Sequence, residues 1–361
     1  MRTFNCQCGA VLFFQNTACV ACDAITAQCC HCQEVCAIEP VNGSDFRCGG
    51  CGGVLKRCQN SLQHQVCNGT VANTSNSSLC RYCSLTDVLP DLSVEGNALL
   101  WRRLEMAKQR VLYQIDYLGL PIHSTANESP ESNVPKSKAI ESNAPESNSP
   151  ESKAPEDRAD PQLRFEFKAD GAKPVSTGHD NGLITINVSE ADSVVREQTR
   201  VDFGEPQRTL VGHFRHELGH YYWDVLVKPQ RLDQFRELFG DERSPTYAEA
   251  QQAYYQRKND SEWRGEYISR YSTMHPWEDF AETFAAYLDM DAIVSTARDF
   301  ERIKVTADGS DFDTMLTAYS DVGIVANEFN RDMGLLDLVP EIFTAPVVAK
   351  LRFMHELRGK C

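Results

Sequence analysis

Two histidines and a glutamate within residues 212–224 have the spacing of a hydrolytic metal site. The segment reads GHFRHELGHYYWD and contains His216, Glu217 and His220. Histidines four residues apart on a helix share one face, so both imidazoles can reach one zinc ion. Zinc would lower the pKa of a bound water toward about 7, and Glu217 would accept its proton and deliver it to a leaving amine. The motif therefore predicts hydrolysis of an amide bond.

A predicted helix over residues 210–227 presents these groups as a polar stripe, while its other faces are apolar and aromatic. A helix of this kind is covered on most sides, so its stripe must face a cleft or a metal. The stripe consists of Thr209, His213, His216, Glu217, His220 and Asp224. We expect His213 and Asp224 to orient imidazoles or bound water rather than to bind the metal.

A catalytic zinc needs a third protein ligand and an open fourth position. A second predicted helix, HPWEDFAETFAAYLDM at residues 275–290, offers Glu278, with Glu282 as its rival. The alanines at 281 and 285 would let this helix approach the first one closely. We predict that Glu278 is the third ligand and that Glu282, one turn on, holds an imidazole.

Three other residues are candidates for stabilising the negative oxygen that forms during hydrolysis. A tyrosine or histidine near the zinc commonly has this role, and Tyr271, His275 and His179 all qualify. The segment LITINV at residues 183–188 reads as a strand, and we expect it to run beside a bound peptide as an edge strand.

Fourteen of the fifteen cysteines lie between Cys6 and Cys83 and form one module. Paired Cys-x-Cys and Cys-x-x-Cys spacings are typical of structural zinc, and we favour zinc over disulfides because the chain starts with no export signal. The expected sets are Cys6, Cys8, Cys19 and Cys22; Cys29, Cys32, Cys48 and Cys51; and the less regular Cys58, Cys67, Cys80 and Cys83. Cys30 is a possible substitute for Cys29, while Cys36, His31 and His64 are left over. The expected cofactors are one catalytic and two to three structural zinc ions.

The elements that must position these residues divide the chain into four zones. We predict a zinc-ribbon module at 1–90, a connecting amphipathic helix at 91–123, a disordered insert at 124–160 built on a Pro/Ser/Glu repeat such as ESNAP, and a metallopeptidase domain at 161–361. The helix should pack one face on the last domain and leave its basic side solvated. The predicted fold class is α+β: a multi-zinc ribbon module plus a mainly helical zincin-like domain with a small antiparallel sheet.

Charge argues against a nucleic-acid ligand, although the basic side of the connecting helix leaves that alternative open. The chain has a net charge of −15, and each zinc bound by four thiolates adds about −2. The expected partners are a protein or peptide substrate and a protein bound by the ribbons, which could instead only pack on the catalytic domain. No run of apolar residues is long enough to span a membrane, and we expect a cytoplasmic protein.

The motifs DLSVEGNALLWRRLE, GHDNGLITIN, GHFRHELGHYYWD and HPWEDFAETFAAYL, together with the ribbon, resemble a bacterial family of zinc-binding metallopeptidases with an N-terminal zinc ribbon. The resemblance implies gluzincin-like chemistry in which Glu278 to Ala281 form the E-x-x-A part of the third-ligand helix. The leading hypothesis is therefore a zinc endopeptidase. The alternatives are a non-catalytic ribbon adaptor with a peptidase-like platform, and a zinc hydrolase acting on amides outside proteins.

Overall fold

The structure of the protein is a computed structural model. It describes residues 2–124, 160–171, 173–203, 209–257, 262–300, 311–340 and 342–358. The predicted disordered insert lies outside the described residues except for its two ends. Within the described part of the chain, no helix is long and apolar enough to cross a lipid bilayer.

The cysteine-rich region is built from short strands. A two-stranded hairpin, β1 (Phe4–Asn5) and β2 (Val11–Leu12), precedes an antiparallel five-stranded meander and one short helix, α1 (Gln59–His64). The meander strands are β3 (Thr26–Gln28), β4 (Val35–Pro40), β5 (Asp45–Cys48), β6 (Val54–Arg57) and β7 (Thr70–Ala72). Strands of this length bury few large side chains, so packing on the rest of the chain has to supplement them.

The second sheet joins the cysteine-rich region to the rest of the protein. Its strand order is β10-β11-β9-β8, with β8 (Thr86–Val88), β9 (Arg164–Lys168), β10 (Gly178–Asp180) and β11 (Leu183–Asn187). A hairpin turn at Asn181 and Gly182 joins β10 to its antiparallel neighbour β11, but β9 pairs in parallel with both β11 and β8. The sheet is therefore mixed, and the prediction of a small antiparallel sheet was wrong in that detail. The edge-strand prediction for residues 183–188 was also wrong, because β11 is internal and β10 is the edge.

Helix α2 (Asn97–Tyr117) connects the ribbons to the helical body. Phe14 from the ribbon region lies against Tyr113 of α2, with ring centroids 4.6 Å apart. The prediction of a solvated basic side fails at Lys108, which is fully buried. Its ammonium lies 2.7 Å from a carboxylate oxygen of Glu105, which is also buried. The opposite charges of the two side chains therefore compensate each other in the protein interior.

The body that follows is helical. Its helices are α3 (Ser193–Phe203), α4 (Leu210–Tyr222), α5 (Leu232–Phe239), α6 (Tyr247–Gln256), α7 (Pro276–Asp299), α8 (Phe312–Asp332) and α9 (Ala345–Glu356). A π-helical turn, Trp223–Val227, continues α4 and completes the predicted 210–227 helix. Aromatic residues on α4 and α7 form the shared core, for example Tyr222 against Phe284 at 5.2 Å between ring centroids. The α+β class is as predicted: the described strands all precede residue 188, and apart from α1 and α2 the helices follow them.

Candidate metal centres

Helices α4 and α7 cross at the histidine motif, and each begins at a side-chain cap. The hydroxyl of Thr209 accepts a hydrogen bond from the backbone N–H of Gly212 at 2.9 Å, which starts α4. His275 caps α7 through Nδ1, which accepts from the N–H of Trp277 at 3.2 Å, and Pro276 occupies the first turn. Because these caps fix the residue at which each helix begins, they also determine which side chains face the crossing.

Three ligand-type atoms converge where the helices cross. Nε2 of His216 lies 3.2 Å from Nε2 of His220. A carboxylate oxygen of Glu278, Oε2, lies 3.0 Å from the first of these nitrogens and 3.5 Å from the second. Glu278 is 2% exposed, so this carboxylate is enclosed on the protein side.

The spacing of these atoms fits a zinc ion. Zn–N and Zn–O bonds of about 2.0–2.1 Å in tetrahedral geometry place the donor atoms about 3.3 Å apart. The three separations of 3.0, 3.2 and 3.5 Å scatter around that value. Two imidazoles and one carboxylate are also the donor set of catalytic zinc sites, which keep a fourth position open.

Glu217 lies on the same helix, between the two histidines, and is buried. Its Oε2 has no hydrogen-bond partner among the described residues. Burial raises the pKa of Glu217 above its usual value, opposed by the neighbouring imidazoles of His216 and His220. A raised pKa brings a carboxylate closer to the range in which it can exchange a proton near neutral pH.

Glu282 contacts the far side of the first imidazole. Its Oε1 lies 2.7 Å from Nδ1 of His216, the ring nitrogen that points away from His220. Glu278 is therefore the carboxylate on the converging side, and Glu282 is the one that orients a ring. The two carboxylates thus contact different nitrogens of the same imidazole, and their roles stay a prediction.

The three residues predicted as candidates for stabilising the negative oxygen (the oxyanion) have different surroundings. The ring of Tyr271 lies 5.9 Å from that of His216, and burial raises the pKa of its hydroxyl so that it remains a donor. The ring of His179 stacks 6.4 Å from that of His220, but its Nε2 accepts a hydrogen bond from the N–H of Gly182, and burial lowers its pKa to about 4. His275 uses Nδ1 in its capping bond, while its buried Nε2 has no hydrogen-bond partner among the described residues.

His213 and Asp224 have partners other than the two motif imidazoles. His213 pairs through Nδ1 with the carboxylate of Glu190, and Asp224 accepts from Lys228 at 2.9 Å. These pairs stabilise α4 and its π-helical extension. These partners are not the motif imidazoles, and the predicted role of His213 and Asp224 in orienting imidazoles or bound water stays a prediction.

The cysteines converge in the three predicted sets. Four thiolates at about 2.3 Å from a tetrahedral zinc lie about 3.8 Å from one another. Sulfur separations are 3.7 Å for Cys6–Cys22 and Cys8–Cys19 in the first set, and 3.7 Å for Cys29–Cys51 and 3.9 Å for Cys32–Cys48 in the second. In the third set all four cysteines are buried, and their ligand atoms lie within 4.8 Å of one another.

Comparison with known proteins agrees with this geometry. A family described as "putative zinc-binding metallo-peptidase" matches residues 142–357, and a zinc-ribbon domain matches residues 3–94. The chain belongs to this zinc-binding metallopeptidase family. Uncharacterized proteins from Mycobacterium bovis and from two strains of Mycobacterium tuberculosis are each 32% identical to it, over 98% of this chain and 94% of theirs. No solved structure matches the chain.

Membership in the metallopeptidase family and the cysteine sets together support zinc binding by this chain. Of the described cysteines outside these sets, Cys30 and Cys36 lie near the second set. Cys36 Sγ is 3.5 Å from that of Cys48, while Cys30 donates its backbone N–H to Thr70. His31 contacts the carbonyl of Val54, and His64 packs on Trp101.

Two contacts of this metallopeptidase site are missing from the sequence predictions. The hydroxyl of Tyr247, on α6, donates to Oε1 of Glu278 at 2.8 Å. Arg215, next to His216, is buried and donates to Gln114 of α2 at 2.8 Å. The one sequence signal for Arg215 was its charge on an otherwise apolar face of the predicted helix. No spacing rule indicated Tyr247.

Proposed function

We propose that the chain is a zinc-dependent peptidase whose catalytic ion is held by His216, His220 and Glu278. The observation that carries the proposal is the convergence of these three donor atoms beside a buried glutamate with a free oxygen. A zinc ion bound there would polarise a water molecule and a substrate carbonyl. The remaining chemistry belongs to residues of the chain.

Glu217 is the proposed general base and acid. Its unpartnered Oε2 accepts the proton of the attacking water and afterwards delivers it to the leaving amine. Glu282 keeps the imidazole of His216 in one orientation through Nδ1. Of the oxyanion candidates, Tyr271 is supported by its position beside His216 and by a hydroxyl that stays protonated.

The edge strand β10 is the proposed binding surface for an extended peptide. It packs against α4 and pairs with β11 along one side. Its other side is the outer edge of the sheet, so its backbone groups can pair with a substrate strand. Recognition through the backbone would favour extended peptides with little side-chain selectivity.

The substitution Glu217→Gln tests the peptidase proposal, because it preserves side-chain volume and removes the base. We expect cleavage of a proteome-derived peptide library to fall by about 10²–10⁴-fold while the zinc content stays unchanged. Equal processing by wild type and variant would reject catalysis and favour the adaptor alternative.

We further propose that the first ribbon binds a protein partner or substrate. Between its paired cysteines, Val20 is 94% exposed, and Phe13 nearby is 56% exposed. Exposed apolar side chains on a rigid knuckle favour a protein surface over a nucleic acid. Val20→Asp should prevent capture of cellular proteins by the Glu217→Gln enzyme and leave cleavage of short peptides unchanged, whereas unchanged capture would contradict the proposal.

A further inference from the structure

The carboxylate of Glu278 has two oxygens with different surroundings. Oε2 faces the nitrogens of His216 and His220, while Oε1 accepts a hydrogen bond from the hydroxyl of Tyr247 at 2.8 Å. The bond is formed at a residue that is 2% exposed, where water competes poorly for the same oxygen. The hydroxyl thus occupies the oxygen that does not point at the converging atoms.

Tyr247 is itself held firmly in place. It is the first residue of α6, which starts with a capping box in which Thr246 and Glu249 bond each other's backbone. Its ring lies 5.3 Å from that of His275 and 6.2 Å from that of Trp277. The hydroxyl therefore has one position relative to the start of α7, where Glu278 also lies.

We propose that Tyr247 is the positioning residue for the third metal ligand. This assignment rests on the proposed function, in which Glu278 binds the catalytic ion. By occupying Oε1, the hydroxyl restricts Glu278 to binding through Oε2 alone, which preserves the open position that a substrate needs. Without the hydroxyl, the carboxylate is free to rotate or to bind through both oxygens.

The burial and contacts of the other α6 residues support a specific role for the hydrogen bond from Tyr247 to Glu278. Ala250 is buried, whereas most other α6 side chains are exposed or half-buried. Tyr254 lies 5.8 Å from Tyr271, between ring centroids, so α6 contacts the metal site region at both ends. Helix α6 reaches the ligand carboxylate itself through Tyr247.

The substitution Tyr247→Phe removes the hydroxyl and keeps the ring that packs on His275 and Trp277. Tyr255→Phe is the matched control, because Tyr255 lies on the same helix and is 63% exposed. We expect the affinity of the full-length protein for zinc at this site, measured by competition with a chelator, to fall about 10- to 100-fold in the first variant only. Thiolate-bound zinc should be retained in both variants, which shows that the ribbon module of each is folded.

A second readout separates positioning from a general loss of stability. With cobalt in place of the weakly held zinc, the visible absorption spectrum reports the coordination geometry, and we expect it to change in Tyr247→Phe and not in Tyr255→Phe. If Glu278→Ala loses one zinc but Tyr247→Phe keeps wild-type affinity and spectrum, the assignment of Tyr247 is wrong. If Glu278→Ala binds as many zinc ions as wild type, the proposed function is wrong as well.

Discussion

Gly219 of α4 and Ala281 of α7 are in contact where the two helices cross. A methyl group built on Gly219 would lie 2.7 Å from the Cα of Ala281, which is closer than carbon atoms that are not bonded to each other approach. This contact sets the distance over which Glu278 reaches the two histidines, because Gly219 precedes His220 and Ala281 follows Glu278 by nearly one turn.

Gly219→Ala should separate the helices and weaken the metal site. Overpacking of a rigid contact typically costs about 1–3 kcal/mol of unfolding free energy, and the backbone atom on the facing helix cannot rotate away. We expect a loss in that range together with a zinc affinity reduced at least about tenfold. Denaturant unfolding and chelator competition would measure the two effects.

Gly265→Ala is the control for that substitution. No atom lies within 4 Å of a Cβ built there, so alanine should leave both quantities unchanged. Wild-type zinc affinity in Gly219→Ala would show that the helix separation does not determine ligand geometry.

Sequence spacing predicted the parts of the site that lie on single helices. His216, Glu217 and His220 are within one turn of one another, and Glu278 and Glu282 are one turn apart, so helical geometry orders each group. Tyr247 could not be found in this way, because it meets Glu278 across 31 positions and two different helices.

The errors in the predicted fold have a similar cause. Strand β9 pairs in parallel with β11 and with β8, which comes from the cysteine-rich region, and these pairs make the sheet mixed. Local alternation of apolar residues identifies a strand and does not identify its neighbours. Lys108 was expected in solvent because the local sequence does not show that the ring of Phe165 covers its ammonium, with the ring centroid 5.3 Å away.

Glu282→Ala should lower metal affinity without unfolding the protein. The side chain bonds Nδ1 of His216, and removal of such a partner typically costs about 10- to 100-fold in metal affinity. Zinc competition would measure the change, with the exposed Glu237→Ala as control. Unchanged affinity in Glu282→Ala would mean that packing alone orients the imidazole.

Zinc should leave the protein in two steps. A site with three protein ligands and an open position is accessible to a chelator, whereas the four-thiolate sites are closed. We propose four zinc ions per chain and expect native mass spectrometry to show early loss of one ion, accompanied by loss of peptidase activity. Simultaneous loss of all ions, or fewer than four at the start, would contradict this stoichiometry.

The third cysteine set should matter more to the helical body than the first. Sγ of Cys83 lies 3.7 Å from Oε1 of Glu105 and accepts from Nε2 of Gln109 at 3.5 Å, and both partners are on α2. Further along α2, Gln114 accepts from Arg215, which is adjacent to His216. Cys8 of the first set, by contrast, is exposed.

Cys83→Ser should therefore destabilise α2 and α4 along with its own zinc site. Structural zinc contributes its binding free energy to folding, so we expect a loss of more than about 3 kcal/mol and a smaller one for Cys8→Ser. Hydrogen exchange would locate the effect: amides of α2 and α4 should exchange faster in the first variant only. Equal protection of these helices in both variants would show that the third site is energetically separate from the helical body, despite the hydrogen bonds that join them.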